Sequence, residues 1–130
     1  MAFHFQFDLE SGMVTVIARG STDFAGNQRA IVALMEHPEF QAVSCVLCDF
    51  RQFEYVPTAE DCLTFGRLLA STDSYRGRRL AYVVASAAHL HAARTVAIVG
   101  NAWGMEIEVF QSPEAARRWL LAGRAPWASN

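Results

Sequence analysis

Lysine is absent from this 130-residue chain, and all 11 basic residues are arginine. That excludes the GxxxxGK[ST] phosphate loop, whose lysine reaches the phosphates. The GxGxxG turn of dinucleotide binders is missing as well. The base composition of a coding genome is enough to explain arginine used alone. Basic excess is also lacking: 11 basic residues face 13 acidic ones, for a net charge of −2. Such a balance exerts no general pull on nucleic acid or acidic membranes. One local basic cluster stands out at Arg76, Arg78 and Arg79. No apolar run approaches the ~18 residues of a membrane span. Cysteine is scarce and odd in number, with three in a chain that shows no export signal, so free thiols are expected. The opening MAFHFQFDLE has no basic leader region and alternates in polarity, so it reads as a strand and not a signal peptide. Cytoplasmic location is the corresponding expectation.

What the chain has is apolar content and periodicity. Apolar residues make up 52% and charged residues 18%, enough for one folded core. A single domain is expected over 4–123, with a loose tail at 124–130. Phe3, Phe5, Phe7 and Leu9 alternate with His4, Gln6 and Asp8, the pattern of a half-buried strand. Ser11-Gly12 turns it into a second strand from Met13 to Ala18, making an antiparallel hairpin. Gly20 to Asp23 supplies turn and cap residues for a helix that runs to about Glu36, where Pro38 stops it. Val43–Phe50 is apolar on both faces, as a central covered strand should be. A helix starts after Thr58 and runs to about Ser71, with Cys62, Phe65 and Leu69 inward. Leu80–Ala85 is a fourth strand. Residues 89–103 fit strand propensity at Val96–Val99 and also a helical face through Leu90, Ala93, Ala97 and Gly100. A parallel strand at Ile107–Phe110 needs a crossover, which selects helix. Ser112, Pro113 and Glu114 then open a final helix that Gly123 ends. The order is ββαβαβαβα, an α/β domain with a mostly parallel, mixed sheet of about five strands.

The chemistry-bearing residues take their meaning from their places in these elements. Cys45 and Cys48 have CxxC spacing but lie inside a strand, where residues three apart face opposite ways. They are expected as small buried hydrophobes. His89 and His91 sit two apart on a helix and diverge, and no acidic or thiol ligand joins them at metal spacing, so no metal is expected. Asp49 and Arg51 close the third strand, at the strand end where open α/β sheets place ligands. They read either as an acid and base facing a pocket or as a local pair that caps loop amides. Thr58 opens TAED as a helix N-cap, and the same position presents a hydroxyl at a helix N-terminus. No nucleophile–base pair suggests a hydrolase, and no cofactor is indicated.

With order and residues combined, the chain resembles the SpoIIAA-like superfamily of STAS and SEC14-like domains, over about residues 5–122. The matching segments are MEHPEF at 35–40, VLCDFRQFE at 46–54, RRLAYVVA at 78–85 and MEIEVFQSPEAARRWL at 105–120. The resemblance is to bacterial STAS-like proteins. It implies a SpoIIAA-like fold and a non-catalytic regulatory role through protein contact. In anti-sigma-factor antagonists of that family a phosphorylated serine precedes the second helix. Thr58 occupies the equivalent position, while the Asp-Ser-Ser-Gly-like motif is absent from this chain. The expected interaction surface comprises Asp49, Arg51, Phe53, Tyr55 and Thr58, flanked by Ser86 and His89, with a protein partner. The alternative is a small-ligand or lipid-binding module with an apolar pocket lined by Phe53, Tyr55 and the third helix. The N-terminal hairpin offers an edge strand able to pair with a second copy.

Overall fold

The computed structural model describes residues 2–122. The tail expected at 124–130, and Gly123 before it, lie outside the described residues. Strands β1 (Phe3–Asp8) and β2 (Met13–Gly20) form the hairpin, with Gly12 at φ +72° in its turn. Helix α1 (Phe24–Glu36) comes next, capped by Asp23, whose side chain accepts from the Gly26 amide at 2.8 Å. A short 3-10 helix at Pro38–Ala42 drives Phe40 fully into the core. Then come β3 (Cys45–Phe53), α2 (Ala59–Ser71), β4 (Arg79–Val83), α3 (Ala87–Ala102), β5 (Glu106–Phe110) and α4 (Pro113–Ala122). The ββαβαβαβα order expected from the sequence is the observed one. Residues 89–103, ambiguous by pattern, lie mostly in α3 because β4 and β5 are parallel and need the crossover. No helix among the described residues is long and apolar enough to cross a membrane.

The sheet order is β1-β2-β3-β4-β5, with β1 antiparallel to β2 and the other neighbours parallel. From β2 onward each strand is added on the same side. Right-handed crossovers along a one-way sheet fall on one face. Buried residues of α1, α2 and α3 accordingly join one core with Val14, Val46, Leu80 and Ile107. The final helix α4 returns to the opposite face. There Ala116 and Leu120 close a smaller core with Met13, Cys45, Leu47, Ala81 and Val83. Alternation along β3 serves both cores: Val46 and Cys48 face the three helices, Leu47 and Cys45 face α4. Helices α2 and α3 approach closely at Gly66, where a Cβ would come within 2.8 Å of Val99 Cβ.

The strand β3 is longer than its apolar run. It continues through Gln52 and Phe53, which pair with Arg19 and Gly20 beyond a bulge where three steps of β3, Asp49 to Gln52, face two of β2, so that Phe53 returns to the face of Phe50. Arg51 and Phe53 are therefore strand residues, and the connecting loop shrinks to 54–58.

The arginine cluster is largely turned inward. The Arg78 guanidinium donates to the Val43 and Phe40 carbonyls at 2.9 Å each, also to the Ser74 carbonyl, and lies 4.3 Å over the Phe40 ring. Arg79 pairs with Glu106 at 3.1 Å, donates to the Trp119 carbonyl and stacks on Trp119. Neither is a free anion-binding group. Through three carbonyls Arg78 ties the 40–43 segment to its own 74–78 turn, so Arg78→Ala should cost about 2–4 kcal/mol in urea unfolding. Arg78→Lys should recover less than half of that, because one ammonium lacks the fork that reaches three carbonyls. A full rescue by lysine would count against the clamp.

Candidate functional site

The expected site residues separate onto two sides of the sheet. Asp49 and Arg51 share the parity of Leu47 and stand on the α4 side. They form a bidentate pair, Arg51 Nε to Asp49 Oδ1 at 2.9 Å and Arg51 Nη2 to Oδ2 at 2.8 Å. The same carboxylate accepts from the Arg51 amide at 3.2 Å. Arg51 hydrogen bonding holds the Asp49 carboxyl below its usual range. Its lone pairs are occupied by its own strand end, which is the local pairing that the sequence allowed beside an acid–base role.

Phe53, Tyr55, Thr58, Ser86 and His89 assemble on the other side, at the rim where β3 and β4 end. Ser86 caps α3, its Oγ accepting from the His89 amide at 3.1 Å. His89 Nε2 lies 3.0 Å from the Tyr55 carbonyl, which can only accept, so Nε2 carries the proton. In the neutral ring Nδ1 then accepts from Ser86 Oγ at 2.7 Å. The imidazole staples the 54–58 loop to α3. His91, two positions on, is exposed, so the pair diverges as its helical spacing requires. Thr58 Oγ1 accepts from the Asp61 amide at 3.1 Å, and the Tyr55 hydroxyl donates to Asp61 Oδ2 at 3.4 Å. Burial, with Asp61 alongside, pushes the Tyr55 phenol up to about 12.

Behind this rim an aromatic series descends along the sheet. Phe53 lies 5.9 Å from Tyr55 and 5.1 Å from Phe50, and Phe50 lies 5.3 Å from Tyr82. It borders an apolar cavity of about 70 Å³ between the sheet and α1, α2 and α3. The cavity is lined by Phe3, Phe5 and Val16 from the hairpin, Asn27, Ala30, Ile31 and Leu34 from α1, and Val46, Cys48, Phe50 and Phe53 from β3. Phe65, Leu69, Leu80, Tyr82, Ala92, Ala93 and Val96 close it, and Tyr55, Pro57, Tyr75 and His89 complete the wall. No carboxylate and no arginine is among them. Helix α1 leaves this space because Leu34 is its one buried residue. Two further contacts hold it down. Phe24 stacks on Phe65 at 5.0 Å, and the Tyr75 hydroxyl donates to the Ile31 carbonyl at 2.5 Å.

Tyr82 differs from its neighbours. It is 8% exposed, yet its hydroxyl has no hydrogen-bond partner among the described residues. Among those residues no fully enclosed side-chain polar atom lacks a partner, so this hydroxyl keeps a sliver of open surface. Desolvation raises its phenol well above the ordinary value, and Cys48, Tyr75 and Cys62 nearby add to the effect. Burial likewise pushes the Cys48 thiol up to about 12. Cys45 faces α4 and Cys48 faces the cavity, so the CxxC spacing forms no redox pair. Among the described residues no group of three His, Cys, Asp or Glu side chains could hold a metal ion.

Sequence reasoning found the rim but missed Tyr82, Cys48 and the α1 residues. A signal for Tyr82 existed. Leu80, Tyr82 and Val84 alternate on one face of a short apolar strand, and the tyrosine alone brings a polar tip to it. Nothing local indicated that α1 would stand away from the sheet.

No protein-family model matches this chain, and no curated protein sequence does. Among solved structures it is similar to an uncharacterised protein of the DUF3478 family with a SpoIIAA-like fold from Shewanella loihica PV-4. The two share 20% identity over 92% of each chain, with a TM-score of 0.51. The likeness establishes the SpoIIAA-like fold that the sequence segments implied. The two buried tyrosines give a direct check of the site geometry. Tyr75→Phe removes a made hydrogen bond and should cost about 1 kcal/mol. Tyr82→Phe removes an unpaired hydroxyl and should be neutral or stabilising by up to about 1 kcal/mol in the same denaturation series. A destabilised Tyr82→Phe would mean that the hydroxyl has a partner after all.

Proposed function

We propose that this chain is a non-catalytic binding module whose cavity holds a small, apolar molecule. The observation that carries the reading is the unfilled apolar volume of about 70 Å³ beneath α1, reaching the half-buried rim residues Tyr55, Pro57 and His89. An empty space of that size in a core forfeits roughly 1.5–2 kcal/mol of packing. A ligand that fills it recovers this, so binding and stability are linked. Concave, mostly apolar pockets with few polar groups are typical of small-molecule sites.

A second reading concerns the rim itself. Val56 is 41% exposed and Leu63 38%, on either side of the exposed Thr58 hydroxyl. Exposed apolar side chains beside a modifiable hydroxyl support a docking surface for a protein partner, the regulatory role that the resemblance implies. The carboxylates of Glu60 and Asp61 in the first turn oppose a phosphate on Thr58. For this reason the cavity is the stronger candidate.

The cavity reading predicts that a single-ring apolar probe such as toluene binds the purified protein and raises its melting temperature. Ala93→Leu, which fills the cavity from α3, should weaken that binding at least tenfold while the circular dichroism spectrum stays unchanged. Equal binding by the filled variant would place the probe elsewhere and sink the reading. For the rim, intact-mass analysis of protein isolated from its native host should show a phosphate adduct that Thr58→Ala abolishes. Unmodified mass under all growth conditions would remove the switch.

A further inference from the structure

We propose that the molecule held in this cavity is neutral and carries a hydrogen-bond acceptor, such as a ketone, ester or ring-nitrogen, that takes the Tyr82 hydroxyl. The inference rests on the cavity being a ligand site and goes on to specify the ligand's chemistry.

Hydrogen-bond satisfaction points there first. A hydroxyl without a partner on a residue this deeply buried is uncommon and calls for a physical reason. Tyr82 is 8% exposed and lines the cavity, while Tyr75 and Tyr55 both have acceptors. Packing does not demand the hydroxyl, because its neighbours on the same strand face are Leu80 and Val84 and its ring already packs on Phe50. A phenylalanine would serve the core equally.

The direction of the missing bond is set by the phenol's protonation. Burial disfavours the phenolate, and the thiols of Cys48 and Cys62 beside it offer no positive charge to offset that. The group therefore stays protonated and presents a donor. Its complement is an acceptor.

Charge narrows the class further. Among the described residues the lining holds no arginine or carboxylate. The one arginine near Tyr75, Arg78, is committed to three carbonyls. An ionised headgroup placed beside Tyr82 would be desolvated without a counter-charge, which is costly. Water is a poor substitute for a ligand here. A buried water needs two to four polar partners, and among the cavity's other polar side chains Tyr55, Tyr75 and His89 are already hydrogen-bonded, which leaves the weak Cys48 thiol and the Asn27 amide of α1.

The test compares three ring compounds of similar size, namely toluene, acetophenone and benzoate. Each is titrated into wild-type protein and Tyr82→Phe, with dissociation constants read from amide and methyl NMR shifts at Ala92, Ala93 and Val96. Acetophenone should lose about three- to tenfold in affinity in Tyr82→Phe, the worth of one hydrogen bond, while toluene should not change. Benzoate should bind at least tenfold more weakly than acetophenone to the wild type. Identical acetophenone affinity in both proteins, or benzoate binding as well as acetophenone, overturns the inference and leaves the cavity reading standing. If no compound shifts the cavity resonances, the cavity reading itself fails and the inference with it. Because Tyr82→Phe removes only an unpaired hydroxyl, its amide spectrum should remain that of the folded protein.

Discussion

The constraint on which the rest of this structure depends is the one-way growth of its sheet. From β2 to β5 each new parallel strand is added on the same side. With right-handed crossovers, α1, α2 and α3 then have to lie on one face. Among the described residues the other face receives only the short helix α4, which leaves the end of β5 and packs over β3, β4 and β5. Two cores of unequal size result, and β3 must be apolar on both sides to serve them. That is why Val46 and Leu47, successive residues facing opposite ways, are 1% and 3% exposed.

The same constraint sets the site. Helices α2 and α3 are drawn together by the small surface at Gly66 and by matching apolar faces. Helix α1 has no such match. It spans the hairpin end of the sheet, where the phenylalanines of β1 are half-buried and long, and it contributes one buried side chain. Large aromatic rings below and a lightly anchored helix above leave space between them. The His89–Tyr55 and Tyr75–Ile31 hydrogen bonds keep the surrounding elements in place without filling it.

Arginine without lysine acquires a structural meaning in this context. Arg78 and Arg79 each combine several hydrogen bonds with stacking on an aromatic ring, uses that suit a planar fork and not a point charge. Arg51 is closed on Asp49 in the same manner. Three of the cations that a charge map would offer to a ligand are thus absorbed by the fold.

Much of this was legible in the sequence. Alternation in β1, the double-sided apolar run of β3, and the caps at Asp23, Thr58 and Ser112 are local signals, set by the period of the element and by unsatisfied helix-end amides. The rim could be located for the same reason, since strand ends and helix starts are local events. The sequence could not show that Asp49 and Arg51 stand across the sheet from Tyr55 and His89, because β3 runs on past its apolar stretch through a bulge that switches the face of Phe53. Nor could it show that Tyr82 ends beside Cys48 with no partner for its hydroxyl among the described residues. Burial and hydrogen-bond satisfaction depend on which distant residues arrive at the same place. The sequence by itself determined the elements, their order and the faces they present. Only the tertiary structure decided where those faces fail to meet, and that gap is the cavity.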